Sequence, residues 1–390
     1  MVSVPLAGDA RWTTRRRAGR APRLDWALLG ATLVLCAIGV ASVYAATRNP
    51  LMAVGKPGST YLKRDLINFA VGVTLASPAA FIDYRQLRTL APALYGGMCV
   101  LLLLVLSPVG ATINGAHAWF ALGPVQLEPS EFLKVALILF LAGVLSERRD
   151  REPDPQLRDV LFALVAAGVP VLLILAEPAL GIAIVVGVIA LTVLALAGAP
   201  ARWVGGLVAG TILVAVAVGS MHLLKPYQEQ RFTYFTDPHG AHSTTGYRIE
   251  QSRIAIGSGG LTGQGFLRGS QTDGGFIPEQ QTDFVFTVAA EESGLVGATV
   301  ILLALGVLLW RGITIASRAP DLYGSIVAGS VVMWLAFQSF TNIGMTVGIM
   351  PVTGLPLPFV SYGGSSLFAD LIGVALLCNV AGRSHPSSSL

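Results

Sequence analysis

Ten stretches of this chain are apolar over lengths that suit a bilayer, and they constrain the fold more than any motif does. A helix needs about twenty apolar residues to cross hydrocarbon about 30 Å thick. The runs are Trp26–Ala46, Leu66–Phe81, Ala91–Leu106, Phe132–Leu145, Val160–Ala176, Leu180–Leu196, Trp203–Met221, Phe284–Trp310, Ser325–Val347 and Ser366–Val380, bounded by charge, Gly or Pro. The fourth reaches toward Pro129 only by taking in Ser130 and Glu131. Composition agrees: 53% of residues are hydrophobic, 12% are charged and the mean hydropathy is +0.67, far outside the soluble range. The expected fold is an all-α integral membrane protein of about ten transmembrane helices, with residues 26–382 forming one polytopic domain.

Positive charge in short loops stays in the cytoplasm, which orients the bundle. A basic arm, residues 1–25, carries Arg11, Arg15, Arg16, Arg17, Arg20 and Arg23. The same side receives Arg85 and Arg88, then Arg148, Arg149, Arg151 and Arg158, then Arg202, Arg311, Arg318 and Arg383. Both termini are therefore expected inside, ending in a short tail, 383–390. One loop opposes the pattern, because Arg48, Lys56, Lys63 and Arg64 fall on the outer side. The first apolar run is too long for a secretory signal and more runs follow, so it reads as a retained anchor.

The formal charge of +4 is accounted for by these clusters. No basic patch interleaved with aromatics suggests a nucleic-acid partner. Cys36, Cys99 and Cys378 all lie in apolar runs, where they read as packing residues rather than as a disulfide framework. His239 and His242 have no convincing third ligand, and H-E-x-x-H and G-x-S-x-G are absent.

The polar segments concentrate on the outer side. The largest loop, residues 222–282 between spans seven and eight, balances five acids, Glu229, Asp237, Glu250, Asp273 and Glu279, against Lys225, Arg231, Arg248, Arg253 and Arg268. Its GSGGLTGQGF stretch fits neither nucleotide-loop spacing and reads as tight turns, with exposed N–H groups facing a phosphate as the alternative. WFALGPVQLEPSEFLK places Trp119 at the interface and Glu131 and Lys134 one turn apart on a shared helical face. That pair reads either as mutual neutralisation or as a substrate contact. AEPALG turns tightly around Glu177. Pro351, Pro356 and Pro358 forbid a regular helix in IMPVTGLPLPFVSYGGSS, so this backbone must be covered by protein or line a wet cavity.

In FIPEQQTDFVF, Thr282 is placed to cap the next helix and Asp283 falls in its first turn, where the helix dipole favours a carboxylate. Asp283 reads either as an ordinary N-terminal helix acid or as a functional carboxylate. Glu291 lies eight residues on, along the same face, with Glu292 pointing elsewhere. Both read as serving either helix packing or a polar cavity.

The order YQEQR, IAIGSGGLTGQGFLRGSQ, FIPEQQTDFVFTVAAEESGLVG and GIMPVTGLPLPFVSYGGSS, with QLEPSEFLK upstream, resembles the SEDS family (shape, elongation, division and sporulation), which includes RodA, FtsW and SpoVE. The likeness runs from the first span to the last. GFLRGSQ followed by FIPEQQTDF looks more like the elongation branch, RodA, than the division branch. The resemblance implies a peptidoglycan glycosyltransferase of the bacterial cytoplasmic membrane that polymerises lipid II, the undecaprenyl-diphosphate-linked disaccharide-pentapeptide. A class B penicillin-binding protein is the partner it implies.

The family's presumed catalytic aspartate falls on Asp283. Other positions at which the family is sensitive match Trp119, Glu131, Lys134, Gln228, Arg231, Glu279 and Ser361. In that chemistry Asp283 would be the base for the acceptor 4-hydroxyl, with Lys134 and Arg231 facing the diphosphate. A divalent ion, Mg²⁺ or Mn²⁺, is compatible with a diphosphate, although no residue here demands one. A flippase or transporter for the same precursor is the competing expectation, as are a division-type polymerase and a scaffold that recruits the transpeptidase. The chain departs from the family where the usual acid of PDLG is Ala179 and the following Thr is Ile182. Gln281 replaces the usual His before TDF. If the missing acid matters, Glu177 is the nearest carboxylate to replace it.

Overall fold

The computed structural model describes residues 24–113, 116–122, 125–151, 156–220 and 244–383. The arm up to residue 23, the stretch 221–243 of the large loop and the tail beyond Arg383 lie outside the described residues, and so do Gln228 and Arg231.

Apart from Leu106 and Phe284, and Met221, which lies outside the described residues, the expected runs fall on helices: α1 (Trp26–Ala53), α2 (Thr60–Phe81), α3 (Tyr84–Val105), α4 (Pro129–Arg151), α5 (Leu157–Ala176), α6 (Leu180–Leu196), α7 (Ala201–Ser220), α10 (Val285–Ser317), α11 (Leu322–Val347) and α12 (Gly364–Arg383). Two further helices, α8 (Thr244–Ser258) and α9 (Ser270–Gly274), lie in the described part of the large loop. Among the described residues, α1, α3, α4, α5, α10, α11 and α12 are long and apolar enough to cross a membrane, and α6 is a shorter apolar helix. α2 and α7 form but fall outside that set; α2 carries Lys63, Arg64 and Asp65 in its first two turns. The all-α expectation misses one element. The connection from α3 to α4 is a three-stranded antiparallel meander of β1 (Ala111–Ile113), β2 (Ala116–Leu122) and β3 (Val125–Leu127). Trp119 on β2 pairs with Ala111, and Phe120 with Leu127.

Helix starts at one end of the bundle are set by aspartates with a double role. Asp25, Asp83 and Asp321 accept backbone N–H groups as caps. Each also holds an arginine, Arg311 at 2.5 Å, Arg383 at 2.6 Å and Arg85 at 3.2 Å. All three arginines belong to the set that the charge pattern assigns to the inside; the opposite end is called outer below.

The bundle is built around α4, α11 and α12, whose apolar windows are 83%, 67% and 78% buried against 17% for α3. α12 packs along α2, α3 along α4, and α6 along α11, while α10 lies between α1 and α11. These central helices also carry the polar side chains. Ser130, Glu131 and Lys134 on α4, Gln338, Thr341 and Asn342 on α11, and Ser365, Ser366 and Asp370 on α12 are all buried. Ionisable groups inside a span are costly, so such a core marks a functional interior.

The glycine-rich stretch forms more than turns. α10 breaks at Gly294, whose φ of 64° and ψ of −159° is a glycine-only conformation. In an unbroken helix Leu295 and Val296 would donate to the carbonyls of Glu291 and Glu292. Instead Leu295 N–H donates to Gly260 (2.9 Å) and Val296 N–H to Leu261 (3.2 Å). The freed carbonyls accept from Gln264 and Gly265, each at 3.0 Å. Four loop bonds thus replace two helical ones. The N–H groups of Gln264 and Gly265 are used on α10.

Only glycine permits this approach, because a Cβ at Gly263 would stand 2.0 Å from the Glu292 carbonyl oxygen at a φ of +81°. Gly263→Ala is expected to destabilise the protein by at least about 2 kcal/mol, from left-handed strain and backbone overlap. Gly257→Ala, in α8 with open space around it, is expected to be neutral or slightly stabilising. Thermal unfolding of both variants in detergent separates the cases.

Candidate active site

The segment entering α10 does not have the expected cap geometry. α10 begins at Val285, its N-cap is Phe284, and no side chain caps it. Thr282 turns its hydroxyl back to the Glu279 carbonyl (3.2 Å), which also accepts the N–H groups of Thr282 (3.2 Å) and Asp283 (3.1 Å). Glu279 makes this possible by adopting a φ of 56°. Asp283 therefore lies before the helix rather than in its first turn. The turn holding it closes on its own carbonyl, which outcompetes a side-chain cap.

Asp283 is half-buried at the outer end and is held from α11. Asn342 donates its amide both to the Asp283 carbonyl (2.9 Å) and to the Leu355 carbonyl (2.7 Å). The Tyr362 N–H donates to the Gln281 carbonyl (2.9 Å). These bonds join the Asp283 turn to the proline-broken segment before α12. At their junction Gly354 has a φ of +71°, and a Cβ there would stand 3.7 Å from Asp283 Oδ2. The carboxylate thus faces bare backbone.

Glu291 and Glu292 secure the other side of the turn. Glu291, fully buried, accepts from the N–H groups of Gln271 (2.7 Å) and Thr272 (3.0 Å) and from the hydroxyls of Thr272 (2.7 Å) and Ser270 (3.3 Å). Glu292 accepts from the Leu267 N–H (3.0 Å). Buried Gln280 ties the segment to α1 through the Ala46 carbonyl (2.8 Å). Both glutamates are loop anchors. Glu291→Ala takes the acceptor from four donors, of which the Thr272 N–H and hydroxyl are buried, and is expected to destabilise by about 3 kcal/mol or more. Proteolysis in detergent should then cut first within residues 264–282, whereas Glu291→Gln, which keeps one acceptor, should be cut more slowly.

Glu131 and Lys134 come together as an ion pair at 2.7 Å with both side chains buried. Lys134 also donates to Gln338 Oε1 (3.3 Å) and lies 4.5 Å from the Trp334 ring centre. The same Gln338 oxygen accepts from Trp334 Nε1 (2.8 Å), and its amide donates to the Pro356 carbonyl (2.9 Å). Among the described residues Lys134 is the one buried Lys or Arg. Its ammonium is engaged inside the protein by Glu131, Gln338 and the Trp334 ring.

Ser361 Oγ accepts from the Leu357 N–H (2.8 Å), closing a turn in the same segment. Trp119 is half-buried on β2, outside this cluster of bonds. Sequence reasoning missed Glu128 and Asp370. Glu128 is buried with its carboxylate on Ser130 (3.0 Å). Its only sequence signal is its place beside Pro129. Glu177, in the tight connection after α5, is not exposed. It is fully buried at the end of α5 with both carboxylate oxygens unpartnered among the described residues, and burial pushes its carboxyl up to about 8. Among the described residues no group of three or more His, Cys, Asp or Glu is arranged to hold a metal ion.

The fold and site define a multi-pass helical membrane protein with a half-buried aspartate and a buried, proline-broken polar interior at its outer end. The family model of cell cycle proteins (FtsW, RodA, SpoVE) matches residues 25–385, and the chain belongs to that family. It is 40% identical over 321 residues to the peptidoglycan glycosyltransferase MrdB of Escherichia coli, covering 82% of this chain and 85% of that one. It is 39% identical to the stage V sporulation protein E of Bacillus subtilis, over 92% and 96% of the two chains. Among solved structures it resembles a chain of a peptidoglycan synthase complex described as coordinating polymerization and crosslinking. That match has a TM-score of 0.77, 34% identity and coverage of 93% and 98%. The rod shape determining protein RodA of Thermus thermophilus matches with a TM-score of 0.69, 32% identity and coverage of 93% and 98%.

Proposed function

We propose that this chain polymerises lipid II into glycan strands at the outer face of the bacterial cytoplasmic membrane, during elongation, with Asp283 as the general base. The coarser statement, that it is a peptidoglycan glycosyltransferase, follows from family membership and from relatives of that name aligned over most of both chains. The observation that carries the finer one is the placement of Asp283. Its carboxylate faces the bare backbone of Gly354 while its N–H is bonded within its own turn and its carbonyl is bonded from α11.

In the proposed step the acceptor 4-hydroxyl oxygen attacks C1 of the donor sugar as Asp283 takes the hydroxyl proton. The C1–oxygen bond to the diphosphate breaks, the electron pair leaves with the diphosphate, and the α-linkage becomes β. Lys134 does not meet the diphosphate in this reading. It neutralises Glu131 and, through Gln338, holds the Pro356 carbonyl. Arg231 is the cation proposed for the leaving group, and a divalent ion, where used, arrives on the diphosphate. GFLRGSQ with FIPEQQTDF supports the elongation role, and the synthase-complex neighbour supports a class B penicillin-binding protein as partner.

The test is a gel assay of purified protein with such a transpeptidase, labelled lipid II and a divalent cation. Parallel vesicles report translocation of the same lipid. A ladder of glycan chains supports the polymerase. Translocation with no ladder under varied partners and cations overturns it in favour of a flippase.

A further inference from the structure

α8 lies in the large loop, and nothing in the chemistry above uses it. Ile249, Ser252 and Ala255 recur every three residues on one side of this helix, and all three are buried. Ile249 and Ala255 pack in one apolar cluster with Phe284 and Met345, both fully buried. Phe284 follows Asp283 in the chain and is the N-cap of α10. Just past α8, a Cβ at Gly259 would stand 2.1 Å from the Ala290 carbonyl oxygen, so the end of the helix is seated on α10 as well.

The polar member of that face makes the docking specific. Ser252, fully buried, donates its hydroxyl to the Thr346 carbonyl (2.8 Å), and its oxygen lies 2.7 Å from that of the buried Thr287 hydroxyl. A serine has one proton to give, so Thr287 is the donor in the second bond. Thr346 is in the last turn of α11, where carbonyls run out of intrahelical N–H partners. Thr287 is in the first turn of α10, four residues beyond Asp283. α11 also reaches this end of α10 through Asn342, which donates to the Asp283 carbonyl (2.9 Å). Ser252 is thus a further clamp between the helix that Asp283 introduces and the helix that holds its carbonyl.

We propose that Ser252 is a positioning residue for glycosyl transfer. Through Thr287 and Thr346 it fixes the entry of α10 against the end of α11, and so keeps the Asp283 turn where Asn342 holds it. The inference rests on Asp283 being the reacting base. Ser252 acts through the two helices, so its loss should slow the chemical step and leave the apparent affinity for lipid II unchanged.

The test measures rates on labelled lipid II, per folded protein, for Ser252→Ala, Thr287→Val and the double variant, with Asp283→Asn alongside. Ser252→Ala takes the partner from a buried hydroxyl and a buried carbonyl at once, and is expected to lower kcat about tenfold with KM unchanged. Thr287→Val keeps the shape and breaks one bond, and is expected to lower kcat about threefold. The double variant is expected to be no slower than Ser252→Ala, because the two hydroxyls act as one unit. Hydrogen exchange of the peptide spanning 281–288 is expected to quicken in Ser252→Ala, while exchange in α5 stays native. Native kcat in Ser252→Ala, native exchange at 281–288, or losses that multiply in the double variant overturn the proposal. A merely structural role would lower folded yield and leave kcat per folded molecule intact. If Ser252→Ala does not fold, Thr287→Val decides, with native kcat counting against the clamp. If Asp283→Asn polymerises at the native rate, the base reading fails and this inference falls with it; an inactive Asp283→Asn beside a native Ser252→Ala overturns this inference alone.

Discussion

Asp283→Asn is expected to lower the rate of glycan chain formation by about 10²–10⁴-fold, the range of a lost general base, with no loss of folded protein. The second half of that expectation follows from how the residue is held. The Asp283 N–H donates to Glu279 and its carbonyl accepts from Asn342. Both bonds are made by Asp283 main-chain atoms, which the substitution leaves in place, and asparagine has the same shape. Asp283→Glu keeps the basicity but extends the carboxylate past Gly354, whose absent side chain leaves the approach open. It should retain intermediate activity. Initial rates on labelled lipid II, with unfolding temperature measured on the same preparations, check both points. Undiminished rates in Asp283→Asn would remove it as the base; lost folding would leave the rate uninterpretable and move the decision to the Glu variant, where native stability with no activity counts for the base geometry.

The helices were legible because hydrophobic span length is a one-dimensional signal: Trp26–Ala46 and Ser325–Val347 can be seen without knowing what they touch. The start of α4 was legible for a related reason, since the Glu131 and Lys134 spacing forces a shared helical face. The choice between ion pair and ligand contact was not, because it depends on Gln338 and Trp334, about two hundred residues away in the chain. The meander around Trp119 was missed because its strands are three to seven residues long and carry no alternation strong enough to compete with the flanking spans.

Local rules failed most where backbone is bonded to distant backbone. Thr282 has the right chemistry for an N-cap, yet Glu279 in a left-handed conformation offers its carbonyl first. The glycines of GSGGLTGQGF look like turn residues, and several have positive φ, but their larger role is the approach to α10 at Gly294. No spacing rule could pair Gly260 with Leu295. Asp370 was overlooked because it sits within an apolar run, where one carboxylate barely lowers the mean. The same position makes its burial informative.

Lys134→Met is expected to be among the most destabilising single substitutions in the chain, by about 3–5 kcal/mol, because it strands a buried glutamate that has lost its countercharge. The pair is buried, Lys134 fully and Glu131 nearly so. Methionine fills the volume of the lysine stem, so packing loss is minor and the electrostatic term dominates. Lys134→Arg is not conservative here, because a forked guanidinium cannot take the place of a compact ammonium between Glu131, Gln338 and the Trp334 ring. The decisive variant is the double one. Glu131→Gln with Lys134→Met removes both charges and should regain most of the lost stability, since replacing a buried pair by neutral groups is often neutral or stabilising. Thermal unfolding of the native protein, Glu131→Gln, Lys134→Met and the double variant in one detergent closes the cycle. If Lys134→Met alone is as stable as native, Glu131 is not held charged by this lysine. If the double variant refolds fully yet polymerises poorly, the pair's contribution to catalysis is the orientation of Gln338 and the Pro356 carbonyl rather than the stability of the bundle.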